Sequence, residues 1–248
     1  MRPWGLSLFL GALLIGSAPA AAQEEVPDED AEGNAPPVTY TNLAATGQVE
    51  KDFVPKGWKL EVSRKGDLDK DGREDLALVL RMDSDALVLG RTGPDSPGYN
   101  ANPRILAVAL AQPSGGYRTV LQDHALIPRV QEERFDDPFS AEGLSVEQGT
   151  LKVKVSLFLS MGGWGASHST FTFRHQQGCF KLIGFDSSSM QRNTGQTEEA
   201  SFNYLSGEAW KVRGSIESDT PGKKVRRKLG KKPLRCLQDV GNGWEFSG

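Results

Sequence analysis

Hydrophobic and polar residues alternate along much of this chain with a period of two residues. The clearest case is the segment LKVKVSLFL, where alternation places Leu151, Val153, Val155, Leu157 and Leu159 on one face of an extended strand. No segment sustains the 3.6-residue period of an amphipathic helix. The pattern therefore predicts β-strands throughout, and an all-β fold class.

Turn-forming dipeptides and tetrapeptides separate these runs and predict a series of hairpins. The predicted turns are Pro113–Gly116, Gln148-Gly149, Gln177-Gly178 and Ser206-Gly207. Short strands joined in this way are typical of β-sandwiches and of propeller-like stacks of antiparallel sheets. No internal repeat is strong enough to count propeller blades. We therefore expect antiparallel sheets in a sandwich or partial propeller-like arrangement, built by one domain over residues 40–248.

The N-terminal region departs from this pattern and predicts export. Residues 1–22 begin with Arg2, continue with an apolar run and end in Ala20-Ala21-Ala22, which is typical of a cleaved signal peptide. The apolar run is too short to span a membrane. Residues 23–39 are acidic and nearly free of large apolar side chains, so we expect a disordered leader. The sequence thus predicts a periplasmic or secreted protein without a membrane span in the mature chain.

Charge and cysteine content add two further expectations. Removing residues 1–22 changes the formal net charge from −3 to −4, since Arg2 is their only charged residue, and this balance makes nucleic acid an unlikely partner. An oxidising compartment favours a disulfide between Cys179 and Cys236, with two buried free thiols as the alternative. Such a bond would stabilise the fold by roughly 4 kcal/mol in the chain-entropy model. Without a C-x-x-C spacing, the cysteines indicate neither a redox nor a zinc motif.

The segment GDLDKDGREDL has the spacing of a calcium-binding loop. Asp67, Asp69 and Asp71 occupy loop positions 1, 3 and 5, from which carboxylates can converge on one hard cation. Gly72 at position 6 permits the sharp turn that such loops need. An EF-hand would also need a glutamate at position 12, where Leu78 stands in a strand-like run, and a helix before the loop. Both requirements fail, so the sequence excludes an EF-hand.

Asp75 supplies a carboxylate at position 9 instead, directly before a strand-like run. The spacing D-x-D-x-D-G-x-x-D resembles the calcium loop of FG-GAP/VCBS-type repeats, which occur in integrin-like β-propeller blades. The resemblance implies calcium as the cofactor, held by the side chains of Asp67, Asp69, Asp71 and Asp75 and by the carbonyl of Arg73. Carboxylates this close repel one another, and a divalent cation removes that penalty. The alternative is a solvated acidic turn between two strands.

A longer region, residues 57–185, is similar to a group of uncharacterised exported bacterial proteins. The shared motifs are an N-P-R strand at Asn102–Arg104, a G-G-Y turn at Gly115–Tyr117, a D-P-F segment at Asp137–Phe139 and a strand start at Gly143–Val146. The hairpin FTFRHQ…FKLIGF fits the same pattern. Propellers carry several aspartate loops and this chain carries one, so the resemblance implies a single calcium-stabilised β-unit.

The histidines give no catalytic assignment. In the strand-like segment SHSTFTFRH, His168 and His175 have opposite parity and would point to opposite faces of a sheet, and His124 lies far from both in the sequence. Neither a G-x-S-x-G motif nor a Cys/His spacing occurs. We therefore expect a non-enzymatic protein, and the alternative is a secreted hydrolase that combines a histidine with nearby carboxylates.

A basic run near the end of the chain predicts a second kind of contact. Its cationic residues are Lys223, Lys224, Arg226, Arg227, Lys228, Lys231, Lys232 and Arg235. Such density favours binding to an anionic surface such as a cell-envelope polymer, while the lack of interleaved aromatic residues disfavours nucleic acid. The alternative is a solvated edge strand whose lysines discourage aggregation. The expected role is that of a structural or binding module of the cell envelope, with a polymer or a protein as its partner.

Overall fold

A computed structural model describes residues 35–91, 98–230 and 232–248 of the chain. The predicted signal peptide, most of the predicted leader and Lys231 lie outside the described residues. The described residues all belong to one unit, Gly33–Gly248.

Strands account for nearly all of the regular structure. In chain order they are β1 (Thr46–Gly47), β2 (Trp58–Gly66), β3 (Asp75–Met82), β4 (Val88–Leu89), β5 (Tyr99–Asn100), β6 (Arg104–Ala111), β7 (Tyr117–Asp123), β8 (Leu144–Glu147), β9 (Thr150–Phe158), β10 (Gly165–Gln176), β11 (Cys179–Gln191), β12 (Gln196–Asn203), β13 (Glu208–Ser215) and β14 (Lys224–Lys228). Short 3-10 helices cover Glu50–Phe53, Asp85–Leu87, Ala141–Gly143 and Leu237–Asp239. The described residues contain no α-helix, and none of their helices is long and apolar enough to cross a membrane.

The strands form two main antiparallel sheets. The first has five strands in the order β1-β7-β6-β3-β2, and the second has seven in the order β14-β13-β12-β11-β10-β9-β8. Strands β4 and β5 form a separate two-stranded ribbon. The second sheet is a simple meander, because each strand pairs with its neighbour in the sequence. The predicted all-β class with antiparallel sheets is confirmed.

All four predicted hairpins are present. They join β6 to β7, β8 to β9, β10 to β11 and β12 to β13. In the turns Gln148-Gly149 and Gln177-Gly178 both residues have positive φ, between 51° and 79°. This is the backbone of a type I′ turn, whose twist matches that of the flanking strands, and it explains why a glycine stands second in each.

The core lies between the two sheets and explains the sequence patterns. It joins residues of the first sheet, such as Val79 and Val108, to residues of the second, such as Val153 and Phe171. A smaller apolar cluster around Leu78 covers the other face of the first sheet. Strands β3 and β6 are therefore buried on both faces and carry continuous apolar runs with charged residues only at or near their ends, whereas β9 has one solvated face and alternates.

The segment after β14 returns across the shared core. Leu237 and Val240 are buried in it, and the ring of Phe246 packs against the ring of Phe185 with 4.9 Å between centroids. A disulfide between Cys179 and Cys236, with Cα atoms 5.8 Å apart, fixes this segment to the start of β11. The predicted bond is thus present, and it indicates an oxidising, non-cytosolic location.

Hydrogen bonds hold the described part of the predicted leader against the domain. The amide of Ala35 donates to the carbonyl of Gln131 at 3.0 Å, and the guanidinium of Arg129 donates to the carbonyl of Pro36 at 2.8 Å. Residues 35–39 adopt no regular secondary structure. The chain is therefore attached to the body of the domain several residues before the predicted domain boundary at residue 40.

Candidate functional site

The aspartate-rich segment is the loop that joins β2 to β3. Gly66 and Asp75 pair across the hairpin at the base of this loop. Within it, Lys70 and Gly72 adopt positive φ values of 68° and 87° and reverse the chain. The side chain of Leu68 points into the protein and is fully buried in the core between the two sheets. The loop is thus anchored at its base and by one apolar side chain, while its polar groups face solvent.

The structure brings three of the predicted ligands together. One carboxylate oxygen each from Asp67, Asp69 and Asp71 lies within 4.8 Å of the others. The two oxygens of Asp67 accept hydrogen bonds from the amides of Asp71, at 3.0 Å, and Gly72, at 2.9 Å. The loop backbone therefore orients the carboxylates. Hard oxygen donors of this kind are the ligands that Ca²⁺ prefers.

Asp75 has a different environment from the other three aspartates. It is fully buried, and its two oxygens accept hydrogen bonds from the amides of Leu68 and Ala111, each at 2.8 Å. Burial raises the pKa of Asp75, although these hydrogen bonds oppose the shift. The carboxylate thus connects the start of the loop to the end of β6. Its role as a metal ligand stays a prediction. The hydrogen bonds to Leu68 and Ala111 give it a structural role that the sequence did not predict.

Arg73 contributes its side chain to the loop as well as its backbone. Its guanidinium forms an ion pair with Asp71 and lies 3.5 Å from the carbonyl oxygen of Ala111. Sequence analysis assigned only the carbonyl of Arg73 to the site. The positive side chain offsets part of the negative charge of the three carboxylates, as an ion bound there would do more fully.

The loop also lies against the second sheet. A Cβ atom added to Gly149, in the turn between β8 and β9, would lie 3.1 Å from Cε of Lys70 and 3.4 Å from the carbonyl oxygen of Asp67. A Cβ atom at Gly66 would lie only 2.5 Å from Cγ1 of Val146 in β8. Glycine at both places lets the two hairpins approach closely, so the shape of the loop is linked to the position of the second sheet.

A largely buried charge network joins the first sheet to the segment between β7 and β8. The guanidinium of Arg104 donates to both oxygens of Glu61, at 2.6 and 2.8 Å, and pairs with Asp137 at 2.8 Å. Arg81 also donates to Asp137, at 2.9 Å. Burial alone would raise the pKa of Asp137, but the hydrogen bonds and charges of Arg104 and Arg81 hold it below its ordinary value. The network brings the N-P-R and D-P-F motifs together.

The three histidines lie in separate environments. His124 stacks on Tyr40 with 4.2 Å between ring centroids, and His175 packs against Phe180 at 5.1 Å. His168 lies on the outer face of the second sheet, on β10. The structure therefore does not combine them into one metal-binding or catalytic centre.

His168 makes the one histidine contact with a potential nucleophile among the described residues. Its Nδ1 atom lies 2.9 Å from Oγ of Ser156, on the neighbouring strand. Asp186 and Glu199 line the same shallow depression of about 270 Å³. Burial and the charge of Lys154 lower the pKa of His168, which favours the neutral imidazole. In the part of the chain that the structure describes, no hydrogen bond joins this histidine to a carboxylate, so the group that orients a catalytic histidine is missing.

The predicted basic residues separate into distinct groups. One group lines a cavity of about 1080 Å³ and consists of Arg227, Lys228, Lys232 and Arg235. Arg226 lies opposite Trp210 in the register of β14 and β13. Because side chains alternate along β14, Arg226 faces the opposite side of the sheet from Arg227. The ammonium of Lys224 lies over the ring of Trp210 at 3.7 Å, and Lys223 is exposed. The described basic residues therefore do not form one continuous surface.

No protein-family model, curated protein or solved structure matches this chain. The resemblance of the aspartate loop to FG-GAP/VCBS-type repeats accordingly stays a prediction. The functional assignment depends on the geometry of the loop, the cavity and the histidine contact.

Proposed function

We propose that the chain is an exported, non-enzymatic β-protein in which Ca²⁺ bound by Asp67, Asp69 and Asp71 fixes the turn between β2 and β3. The observation that carries this proposal is the convergence of the three carboxylate oxygens within 4.8 Å, on a loop whose base is already anchored. A periplasmic or secreted location agrees with the disulfide, and extracellular calcium modules use the same class of ligands.

The proposed role of the ion is structural. Calcium, when bound, supplies the positive charge that allows the three carboxylates to stay close together. The chain does the rest, because Leu68 and Asp75 hold the base of the loop and Gly149 allows the loop to rest against the turn between β8 and β9. A loop fixed in this way would hold the β2–β3 hairpin in its position against the turn between β8 and β9.

The surroundings of the loop favour moderate affinity. Lys70 lies within the loop, and Arg73 is paired with Asp71, so two cations oppose the charge that attracts the ion. We expect a dissociation constant of about 0.1–1 mM, the range of extracellular calcium modules. By mass action, 10 mM calcium would then increase the free energy of unfolding by about 1.4–2.7 kcal/mol.

Urea unfolding in 10 mM calcium chloride and in excess chelator tests this proposal. We expect the wild-type chain to unfold at higher urea concentration in calcium, and Asp71→Asn to lose that difference. Asp83→Asn is the matched control, because Asp83 is an exposed aspartate outside the loop that pairs with Lys59. Asp75→Asn should destabilise the chain even in chelator, since it weakens hydrogen bonds that need no ion. A full calcium response in Asp71→Asn would disprove the site.

Hydrolysis is a second candidate function, favoured by the contact between Ser156 and His168. The nearby carboxylates of Asp186 and Glu199 could take part only if one of them moved to the free nitrogen of the imidazole. A serine nucleophile also needs a base that is itself oriented by a third group. The non-enzymatic proposal is therefore the better supported of the two.

A further inference from the structure

The cavity beside the basic run has two chemically different walls. It lies among the turn between β12 and β13, the end of β14 and the returning C-terminal segment. Its apolar lining includes Leu182, Leu229, Leu234 and Phe246. Leu205 also lines it, and leaves 51% of its surface exposed. Concave sites lined by apolar side chains and a few polar groups are typical of small-molecule binding.

The charged side chains of the lining are four cations and one carboxylate, that of Glu245. Arg227, Lys232 and Arg235 line the cavity, and within residues 35–91, 98–230 and 232–248 none of them has an ion pair with a carboxylate. Lys228 is paired with Glu208, which lies outside the lining, at 2.7 Å. The guanidinium of Arg235 lies over the ring of Phe246, 5.8 Å from its centroid, so cationic and apolar groups meet directly.

A buried polar atom lies in the same region. The hydroxyl of Tyr204 is inaccessible to solvent and has no hydrogen-bond partner among the described residues. Burial raises the pKa of Tyr204 to about 12, although the charge of Arg235 opposes the shift. Unpaired buried hydroxyls are costly and rare in folded proteins, so this one marks an incompletely satisfied part of the cavity wall.

We propose that this cavity binds a single-chain amphiphile with an anionic head group, its chain against Leu229, Leu234 and Phe246 and its head on Arg227 and Arg235. The volume of about 1080 Å³ lies just above the range of about 300–1,000 Å³ for small-molecule sites, which leaves room for a chain and its head group. An extended anionic polymer fits less well, because Arg226 and Lys224 face away from the cavity. The proposal is independent of calcium binding at the aspartate loop.

A displacement assay with 11-(dansylamino)undecanoate, a fluorescent single-chain carboxylate, tests the proposal. We expect saturable binding of the probe to the full chain in buffer without added calcium, because calcium precipitates long-chain carboxylates and phosphates. Dodecanoate or dodecyl phosphate should displace the probe. Comparison of these two competitors distinguishes a fatty acid from a phosphorylated lipid, and displacement by either supports the proposal. Dodecyltrimethylammonium, which has the same chain and the opposite charge, and inorganic phosphate, which has no chain, should not displace the probe at the same concentrations.

Two adjacent arginines provide a matched pair of variants. Arg227→Gln should weaken probe binding about tenfold, since a hydrogen bond to a charged group is lost, whereas Arg226→Gln on the opposite face of β14 should leave it unchanged. Leu205→Ser should also weaken it, through lost apolar contact. All three side chains are exposed, so urea unfolding should show that these variants fold normally. Equal effects of the two arginine variants, or equal displacement by the cationic amphiphile, would overturn the proposal.

Discussion

Arg104 offers a direct test of how the first sheet is held to the segment between β7 and β8. Its side chain is 3% exposed and contacts two carboxylates, whose side chains are 21% exposed at Glu61 and 40% exposed at Asp137. Replacing Arg104 with methionine preserves much of the apolar stem and removes the charge. Both carboxylates then lose their main partner, while Arg81 remains 2.9 Å from Asp137 and 3.6 Å from Glu61.

The expected loss follows from these contacts. Removing one partner of a buried ion pair destabilises a protein by about 3–5 kcal/mol. Because Asp137 is partly exposed and Arg81 compensates in part, we expect Arg104→Met to lower the free energy of unfolding by about 3 kcal/mol, the lower end of that range. Arg104→Lys keeps the charge but loses the planar fork that binds Glu61 with two hydrogen bonds, so we expect a loss of about half as much.

Urea unfolding followed by circular dichroism at pH 7 in calcium measures both losses. Arg213→Met is the control, because Arg213 pairs with Glu198 on the surface and should change stability by less than about 1 kcal/mol. The pKa of Asp137 is below its ordinary value, so its contribution is present above that ordinary value and is lost as the pH falls through the lowered one. This acid-dependent loss should be smaller in Arg104→Met. Equal stability of Arg104→Met and Arg213→Met would refute the reasoning.

Two other predictions concern the disulfide and the histidine contact. Replacing both Cys179 and Cys236 with serine should lower the free energy of unfolding by about 4 kcal/mol, since the disulfide closes a loop whose ends are 57 residues apart. Urea unfolding without reductant measures the difference, and equal unfolding midpoints of wild type and variant would contradict the prediction. An NMR pH series should show the pKa of His168 below the ordinary histidine value, because burial and the charge of Lys154 lower it. The free energy of unfolding should therefore fall as the pH drops through the ordinary histidine pKa, and it should level off below the lowered pKa of His168. Lys154→Gln should raise that pKa, and Ser156→Ala should leave any background hydrolysis of p-nitrophenyl acetate unchanged if the protein is not a hydrolase.

The local parts of the fold could be predicted from the sequence. A sheet with one solvated face produces alternation, as in β9, and a type I′ turn requires glycine, as in Gln148-Gly149, so the hairpins could be placed from short segments. The order of strands in the first sheet could not be predicted in this way. Strands β3 and β6 are buried on both faces, and a uniformly apolar run contains no information about which neighbour pairs with it.

The same distinction holds for the candidate site. Asp67, Asp69 and Asp71 come together because they are close in the sequence, and their spacing alone predicted it. Arg104 is 43 residues from Glu61 and 33 from Asp137 in the sequence, so only the folded chain shows that the three residues meet. The amphiphile cavity likewise depends on the C-terminal segment, which the basic run gives no reason to place beside β14.

The exposed strand β14 and the disulfide together determine how this chain responds to proteolysis. All five residues of β14 are exposed at the edge of the second sheet, and Arg226, Arg227 and Lys228 are sites for proteases that cut after basic residues. Cys179 precedes such a cut and Cys236 follows it, so both fragments would remain covalently joined. The released end would still carry Leu237 in the core. A nicked molecule would therefore persist as a single particle, and its fragments would separate on a denaturing gel only after reduction.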